Sequence, residues 1–124
     1  GIDIRILTEE QARILNKFKH EKNIKIAWDN PNENLLPKIE TLTKIINPHK
    51  ITCYVLIGYW STQEQDLERI YKLRELKISP YVMPFDRTDS YQKRIARWVN
   101  NKIIFKSCTF AEYNEKTTRR GTEK

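Results

Sequence analysis

The chain has 124 residues, of which 39% are hydrophobic and 31% are charged, and it carries a formal net charge of +7. This length suits one domain with its own core, and the composition argues against a disordered chain. No apolar run approaches the roughly 20 residues that span a bilayer, and the start GIDIRILTEE lacks the features of a signal peptide. We therefore expect a soluble, cytoplasmic protein with no membrane partner.

The first half of the chain predicts two units of strand and helix. Residues Ile2 to Leu7 alternate in polarity and are rich in β-branched side chains, which predicts a strand, and Thr8 to Gln11 is a capping-box pattern that opens a helix. A second strand is predicted from Ile24 to Asp29. It leads into a helix that has Pro37 near its first turn and ends at Asn47-Pro48.

The second half predicts two more such units. An apolar strand from Ile51 to Tyr59 precedes a second capping-box pattern, Ser61 to Glu64, which opens a helix that ends near Lys77. A short strand follows from Ser79 to Phe85, and a helix is predicted from Tyr91 to about Asn101. The segment from Ile103 to Phe105 is interpreted as a short final strand or extended segment.

The alternation of strand and helix predicts an α/β fold with four parallel strands and crossover helices. Continuous apolar strands, such as the run from Cys53 to Gly58, predict that both faces of the sheet are buried. Residues 1–113 form the predicted domain, and the basic tail, residues 114–124, is predicted to be disordered.

Candidate ligand-binding residues lie where the predicted strands end, because parallel sheets bind ligands at their carboxyl edge. These residues are Asp29 on the second strand, Gly58, Tyr59 and Trp60 on the third, and Met83 on the fourth. Asp29 could accept hydrogen bonds from a ribose, and the aromatic rings could flank a purine. The alternative is that Asp29 caps the next helix while the aromatic side chains fill the end of the sheet.

The sequence predicts neither a catalytic residue nor a metal ligand. It contains no phosphate-binding glycine motif, no zinc-binding spacing and no pair of nucleophile and base. Its two cysteines are Cys53, which the apolar run predicts to be a core residue, and Cys108.

Six segments in a fixed order carry a resemblance that spans nearly the whole chain to residue 113. They read DIRILTEEQA (3–12), IKIAWDN (24–30), YVLIGYWSTQEQDLERI (54–70), PYVMPF (80–85), ARWVN (96–100) and KSCTFAEY (106–113). This order resembles the second half of a radical S-adenosylmethionine (SAM) protein, nearest to bacterial and phage-associated members whose functions are mostly unassigned.

The resemblance implies a partial (β/α)6 barrel. In complete members a C-x-x-x-C-x-x-C loop holds a [4Fe-4S] cluster that binds SAM and cleaves it to a 5′-deoxyadenosyl radical. This chain has no such loop, and its two cysteines cannot supply three thiolates. We therefore expect a fragment that retains part of the cavity for SAM and substrate, is inactive alone, and holds neither cofactor firmly.

The resemblance also implies which part of SAM each strand end would contact. Asp29 falls where the family often places a polar residue near the SAM ribose. The stretch Ile57, Gly58 and Tyr59 corresponds to a glycine-containing strand that passes the adenine, and the backbone near Met83 corresponds to a last strand that borders it.

The expected partner is a missing N-terminal half barrel, or a second copy joined through the exposed sheet edge. Two other functions stay open. One is a free-standing α/β module that binds a nucleotide or a protein without catalysis. The other is a basic nucleic-acid-binding domain, suggested by the net charge and by Arg119 and Arg120. It is the least favoured, because the cations are dispersed along the sequence as on a solvated surface.

Overall fold

A computed structural model describes residues 4–18 and 24–114. The elements in chain order are α1 (Glu9–Phe18), β1 (Ile24–Ala27), α2 (Leu36–Ile45), a 3-10 turn (Pro48–Lys50), β2 (Ile51–Ile57), α3 (Gln63–Glu75), β3 (Ser79–Pro84), α4 (Ser90–Asn100) and α5 (Lys102–Ser107). The predicted boundary at residue 113 falls within a helical segment, 110–114, and the rest of the predicted tail lies outside the described residues.

The strands form one parallel sheet in the order β1-β2-β3. Ile24 of β1 is paired with Ile51 of β2, and Thr52 of β2 is paired with Ser79 of β3. The prediction of an α/β fold with a parallel sheet is therefore confirmed. The sheet contains three strands among the described residues, not the predicted four.

The predicted first strand is wrong over its described part. Residues Ile4 to Ile6 form a turn, which a hydrogen bond from the amide of Leu7 to the carbonyl of Ile4 closes, while Ile2 lies outside the described residues. Ile4 is buried but Ile6 is largely exposed, so the alternating isoleucines do not share a buried face. The capping box that follows is confirmed, since Thr8 and Gln11 each accept a hydrogen bond from the other's backbone amide.

The predicted final strand, Ile103 to Phe105, is also wrong, because these residues lie within helix α5. The side chain of Asn101 accepts hydrogen bonds from the backbone amides of Ile103 and Ile104, which is the geometry of a helix N-cap. The asparagine before the apolar triplet was the signal for a helix start.

One face of the sheet is covered by helices and the other is open. The alternate strand residues Ile26, Val55 and Val82 are buried in a single core with side chains from α2, α3 and α4. A sequential strand order with right-handed crossovers places all the crossover helices on one side of a sheet. The opposite face carries exposed or partly exposed side chains, namely Lys25, Ala27, Thr52, Tyr54, Leu56, Tyr81 and Met83. The prediction that both faces are buried is therefore wrong.

The outer edge of β3 is closed by a side chain. The amide of Asn100, at the end of α4, accepts a hydrogen bond from the Val82 N–H at 2.8 Å and donates one to the Val82 carbonyl at 3.0 Å. It thus pairs with the backbone as a neighbouring strand would. Proteins use such devices to stop a sheet from adding further strands.

Replacing Asn100 with alanine should destabilise the fold and expose this edge. The Asn100→Ala variant leaves the N–H and C=O of Val82 unpaired in a partly buried position, which costs about 1–3 kcal/mol. Urea denaturation measures the change. Arg97→Ala, on the exposed side of the same helix, should stay within about 0.5 kcal/mol of the wild type. Equal effects of the two substitutions would contradict this role for Asn100.

Candidate ligand-binding rim

The candidate site lies at the carboxyl ends of the strands, and we call the residues there the rim. They are Asp29 after β1, Gly58, Tyr59 and Trp60 after β2, and Met83 and Phe85 at the end of β3. The loop after β2 leads directly into α3. Its capping box is formed by Thr62 and Gln65, one residue later than predicted.

A buried ion pair on α3 holds the rim in place. Arg69 donates to the carbonyl oxygens of Trp28 at 2.8 Å, Asp29 at 3.3 Å and Leu56 at 3.0 Å. Its guanidinium also contacts the Asp66 carboxylate at 2.8 Å. One side chain therefore joins the ends of β1 and β2.

Asp66 extends this network to the turn after β2. Its carboxylate accepts a hydrogen bond from the Ser61 hydroxyl at 2.6 Å and one from the Gly58 amide at 3.3 Å. Because Thr62, not Ser61, caps α3, the Ser61 hydroxyl is free to make this contact. The turn that carries Tyr59 and Trp60 is thus fixed to the same pair of charges.

Burial shapes the electrostatics of this pair. Desolvation lowers the pKa of Arg69 from its usual range, and the neighbouring Asp66 carboxylate opposes the change. A buried guanidinium is costly unless its donors are used, and here three backbone carbonyls and a carboxylate accept hydrogen bonds from its two terminal nitrogens. The Nε atom of Arg69 has no hydrogen-bond partner within the described residues.

Sequence reasoning missed both members of this pair. Asp66, Arg69, Ile70 and Leu73 follow the spacing of a buried helix face, and all four are buried. Two opposite charges on the apolar stripe of a helix were therefore a readable signal for a buried ion pair.

Gly58 is required by its own conformation and by a neighbouring side chain. Its φ angle is +76°, in the left-handed region that favours glycine. A Cβ atom at this position would lie 2.0 Å from Nε2 of Gln92, a buried residue of α4. Gln92 is held there, because its Oε1 accepts a hydrogen bond from the Asp86 amide at 2.8 Å. The side chain of Gln92 thus occupies the space that a Cβ atom at position 58 would need.

Three aromatic side chains form an exposed cluster on the rim. The rings of Tyr59 and Trp60 are stacked with centroids 5.1 Å apart, and Phe85 lies 4.7 Å from Tyr59. Trp60 has a φ angle of +50° and is 86% exposed. A tryptophan held in this conformation and left in water presents a flat surface to a ligand.

A shallow pocket of about 410 Å³ adjoins this cluster. It brings together three of the predicted candidate residues, Asp29, Tyr59 and Trp60, and its other lining residues are Asn30, Pro31, Asn32 and Leu56. The pocket therefore combines a carboxylate and two amides with an apolar wall, which suits a flat ligand bearing hydroxyl groups.

Two other predicted site residues, Ile57 and Met83, do not line this pocket. Ile57 faces the helix-covered core, fully buried, and its carbonyl accepts a hydrogen bond from the Phe85 amide at 3.0 Å. Met83 is paired with Leu56 on the open face of the sheet, but it lines a different depression, beside α4. The structure thus brings Asp29 and Tyr59 together and separates them from Ile57 and Met83.

Cys53 is a core residue, as predicted. It is fully buried, and burial raises the pKa of its thiol to about 12, so it is a neutral thiol at physiological pH. Among the described residues, no group of three or more His, Cys, Asp or Glu side chains could hold a metal ion. Within the same ranges, no helix has the length and apolar character needed to cross a membrane.

Comparisons with family models, curated proteins and solved structures found no match to this chain.

The buried pair should be costly to break from either side. Arg69→Met leaves the Asp66 carboxylate unpaired, and Asp66→Asn leaves the guanidinium unpaired, so each should lower the free energy of unfolding by about 3–5 kcal/mol. Urea denaturation measures both. The control is Arg13→Met, which removes an exposed pair with Glu9 at 3.8 Å and should cost no more than about 1 kcal/mol. A small effect of Arg69→Met would overturn this account of the rim.

Gly58→Ala should destabilise the protein for two separable reasons. The left-handed backbone costs about 1–2 kcal/mol with a Cβ present, and the clash with Gln92 adds about 1–3 kcal/mol. A double-mutant cycle with Gln92→Ala separates them, because removal of the Gln92 side chain relieves only the second cost. Strictly additive free energies of unfolding would show that Gln92 does not crowd Gly58.

Proposed function

We propose that this chain is part of a barrel-type enzyme of the radical SAM class, in which its sheet supplies one section of the barrel wall and its rim binds the nucleoside end of SAM. The observation that carries the proposal is the uncovered face of the parallel sheet. Parallel sheets in proteins are normally buried on both faces, and a barrel buries the second face by closing the sheet on itself.

The placement of the helices supports a section of barrel wall. All the crossover helices pack on one face, as they do around the outside of a barrel, and the sequential strand order is that of a barrel wall. The open face carries Tyr54 and Leu56 on the central strand, whose partial exposure leaves apolar surface to be covered. Further parallel strands from outside the described residues would cover it.

The rim pocket suits the ribose and adenine of SAM. The exposed carboxylate of Asp29 can accept hydrogen bonds from ribose hydroxyls, and the side chains of Leu56 and Tyr59 offer apolar contacts to a purine. Arg69 fixes the backbone of both Asp29 and Leu56, so the two walls of the pocket keep a constant separation. Such preorganisation lowers the entropic cost of binding.

The residues present here do not fit the [4Fe-4S] cluster. The cluster requires at least three thiolates, whereas this chain has two cysteines, one of them buried in the core as a neutral thiol. Under the proposal the cluster is held by other strands of the barrel. The role of this chain is to bind and orient the nucleoside of SAM.

Binding of SAM to the isolated chain tests the proposal. We expect saturation-transfer NMR to show contact with the adenine and ribose protons of SAM and S-adenosylhomocysteine at low affinity. Asp29→Ala should weaken this binding about tenfold or more, since a hydrogen bond to a charged group contributes about 1.5–3 kcal/mol.

The matched control is Glu40→Ala, which removes one exposed carboxylate from α2, outside the rim. It should leave the NMR signals unchanged. No transfer to SAM, or equal losses in Asp29→Ala and Glu40→Ala, would overturn the assignment of the rim as a nucleoside site. Transfer that ATP abolishes at the same concentration as SAM would favour a general nucleotide-binding module.

A further inference from the structure

A basic groove runs along the outer edge of β3, where α4 and α5 pack beside it. Its lower part, of about 300 Å³, is lined by five basic side chains: His49, Arg74, Lys77, Lys102 and Lys106. Its upper part, of about 580 Å³, is lined by three more: Arg87, Lys93 and Arg97. Residues 79–84 of β3 line the two parts in succession, so that they form one track.

No carboxylate lines this groove within the described part of the chain. The acidic residues nearest to its upper part in sequence, Asp86 and Asp89, are engaged locally. Asp86 accepts hydrogen bonds from the backbone N–H and the hydroxyl of Thr88, which lower the pKa of Asp86. Asp89 caps α4, because its carboxylate accepts a hydrogen bond from the backbone N–H of Gln92. In the described ranges, Lys93 and Arg97 form no ion pair, so their charges face solvent uncompensated.

The groove also offers apolar and aromatic surface. Tyr81 is 46% exposed and lines the upper part, while Val99 and Phe105 form the floor of the lower part. Arg74 lies over the Phe105 ring at 5.1 Å, which holds its guanidinium at the wall. Cations beside an exposed ring are what a chain of phosphates with unpaired bases requires.

We infer that this groove binds single-stranded nucleic acid, with the phosphates on the lysines and arginines and a base stacked on Tyr81. The six residues of β3 give the track a length of roughly 20 Å, enough for a few nucleotides. A peptide added as a further strand is disfavoured, because Asn100 already occupies the N–H and C=O of Val82.

The sequence could not show this site, because its cations are far apart in the chain. His49 precedes β2, Arg74 lies in the last turn of α3, and Lys77 follows that helix. The other cations, Lys93, Arg97 and Lys102, belong to α4 and α5. The sequence therefore predicted dispersed charges of the kind found on a solvated surface. The fold gathers them along one edge, which makes nucleic-acid binding better supported than the dispersed pattern suggested.

Salt-dependent binding of labelled oligonucleotides tests the inference. Fluorescence anisotropy with the full chain and a fluorescein-labelled oligothymidine or oligouridine gives the dissociation constant at several salt concentrations. For wild type we expect log K to fall linearly with log salt by about 0.7 for each phosphate contacted. Comparison of the dissociation constants for DNA and RNA shows whether the protein contacts the 2′-hydroxyl.

Charge reversal locates the binding surface. Lys93→Glu combined with Arg97→Glu should weaken binding at least about tenfold and reduce the salt slope, because phosphate contacts are lost. The control, Lys44→Glu combined with Lys72→Glu, makes the same change in net charge on exposed positions of α2 and α3, away from the groove. Equal losses in the two double variants would overturn the inference, as would no binding by the wild type at low salt.

A third variant separates base stacking from charge. Tyr81→Leu should weaken binding by about five- to a hundredfold, since base stacking contributes about 1–3 kcal/mol, while the salt slope stays unchanged. If polyglutamate or a blunt DNA duplex binds as tightly as the oligonucleotides, the groove is a general polyanion site and the assignment to single strands is wrong. None of the substituted residues lines the rim pocket, so the two proposals can fail separately.

Discussion

The arrangement of the rim depends on one buried contact, that between Arg69 and Asp66 on α3. It acts on backbone atoms of both neighbouring strands: the carbonyls of Trp28, Asp29 and Leu56 on one side and the amide of Gly58 on the other. Taking two charges out of water is expensive, and the pair is tolerable because polar backbone groups at the strand ends surround it. At the carboxyl ends of β1 and β2, where the chain leaves the sheet, these two side chains supply the hydrogen bonds that a neighbouring strand would have supplied.

The second constraint is the asymmetry of the sheet. Helices cover the face that bears Val55 and Val82, while the face that bears Tyr54 and Tyr81 is left to solvent in the described structure. Hydrophobic burial thus stabilises only one side of each strand. The run from Cys53 to Gly58 in β2 nevertheless remains apolar on both sides, and this agrees with a sheet whose second face is covered by something further.

The sequence predicted the elements with strong patterns and missed those decided by tertiary contacts. The three parallel strands and α1 to α4 were predicted because their apolar residues recur at the spacing of a strand or a helix. The predicted first strand was wrong over its described part, residues 4–6, since alternation in so short a run fits a turn equally well. Residues Ile103 to Phe105 form a helix because Asn101 caps it. Among the predicted site residues, the structure places Asp29, Tyr59 and Trp60 around one pocket. The partners Arg69 and Gln92 were missed, because propensity carries no information on which polar side chain a fold buries.

The closure of β3 by Asn100 has a consequence for assembly. Two identical chains that paired their β1 edges by backbone hydrogen bonds about a two-fold axis would meet with strands running in opposite directions. A head-to-tail arrangement would keep the strands parallel, but it needs the β3 edge of one copy, where Asn100 holds Val82. A second copy is therefore poorly suited to continue this sheet. Within the described residues, β1 is thus the edge at which a further parallel strand can be added, and the β3 edge is closed.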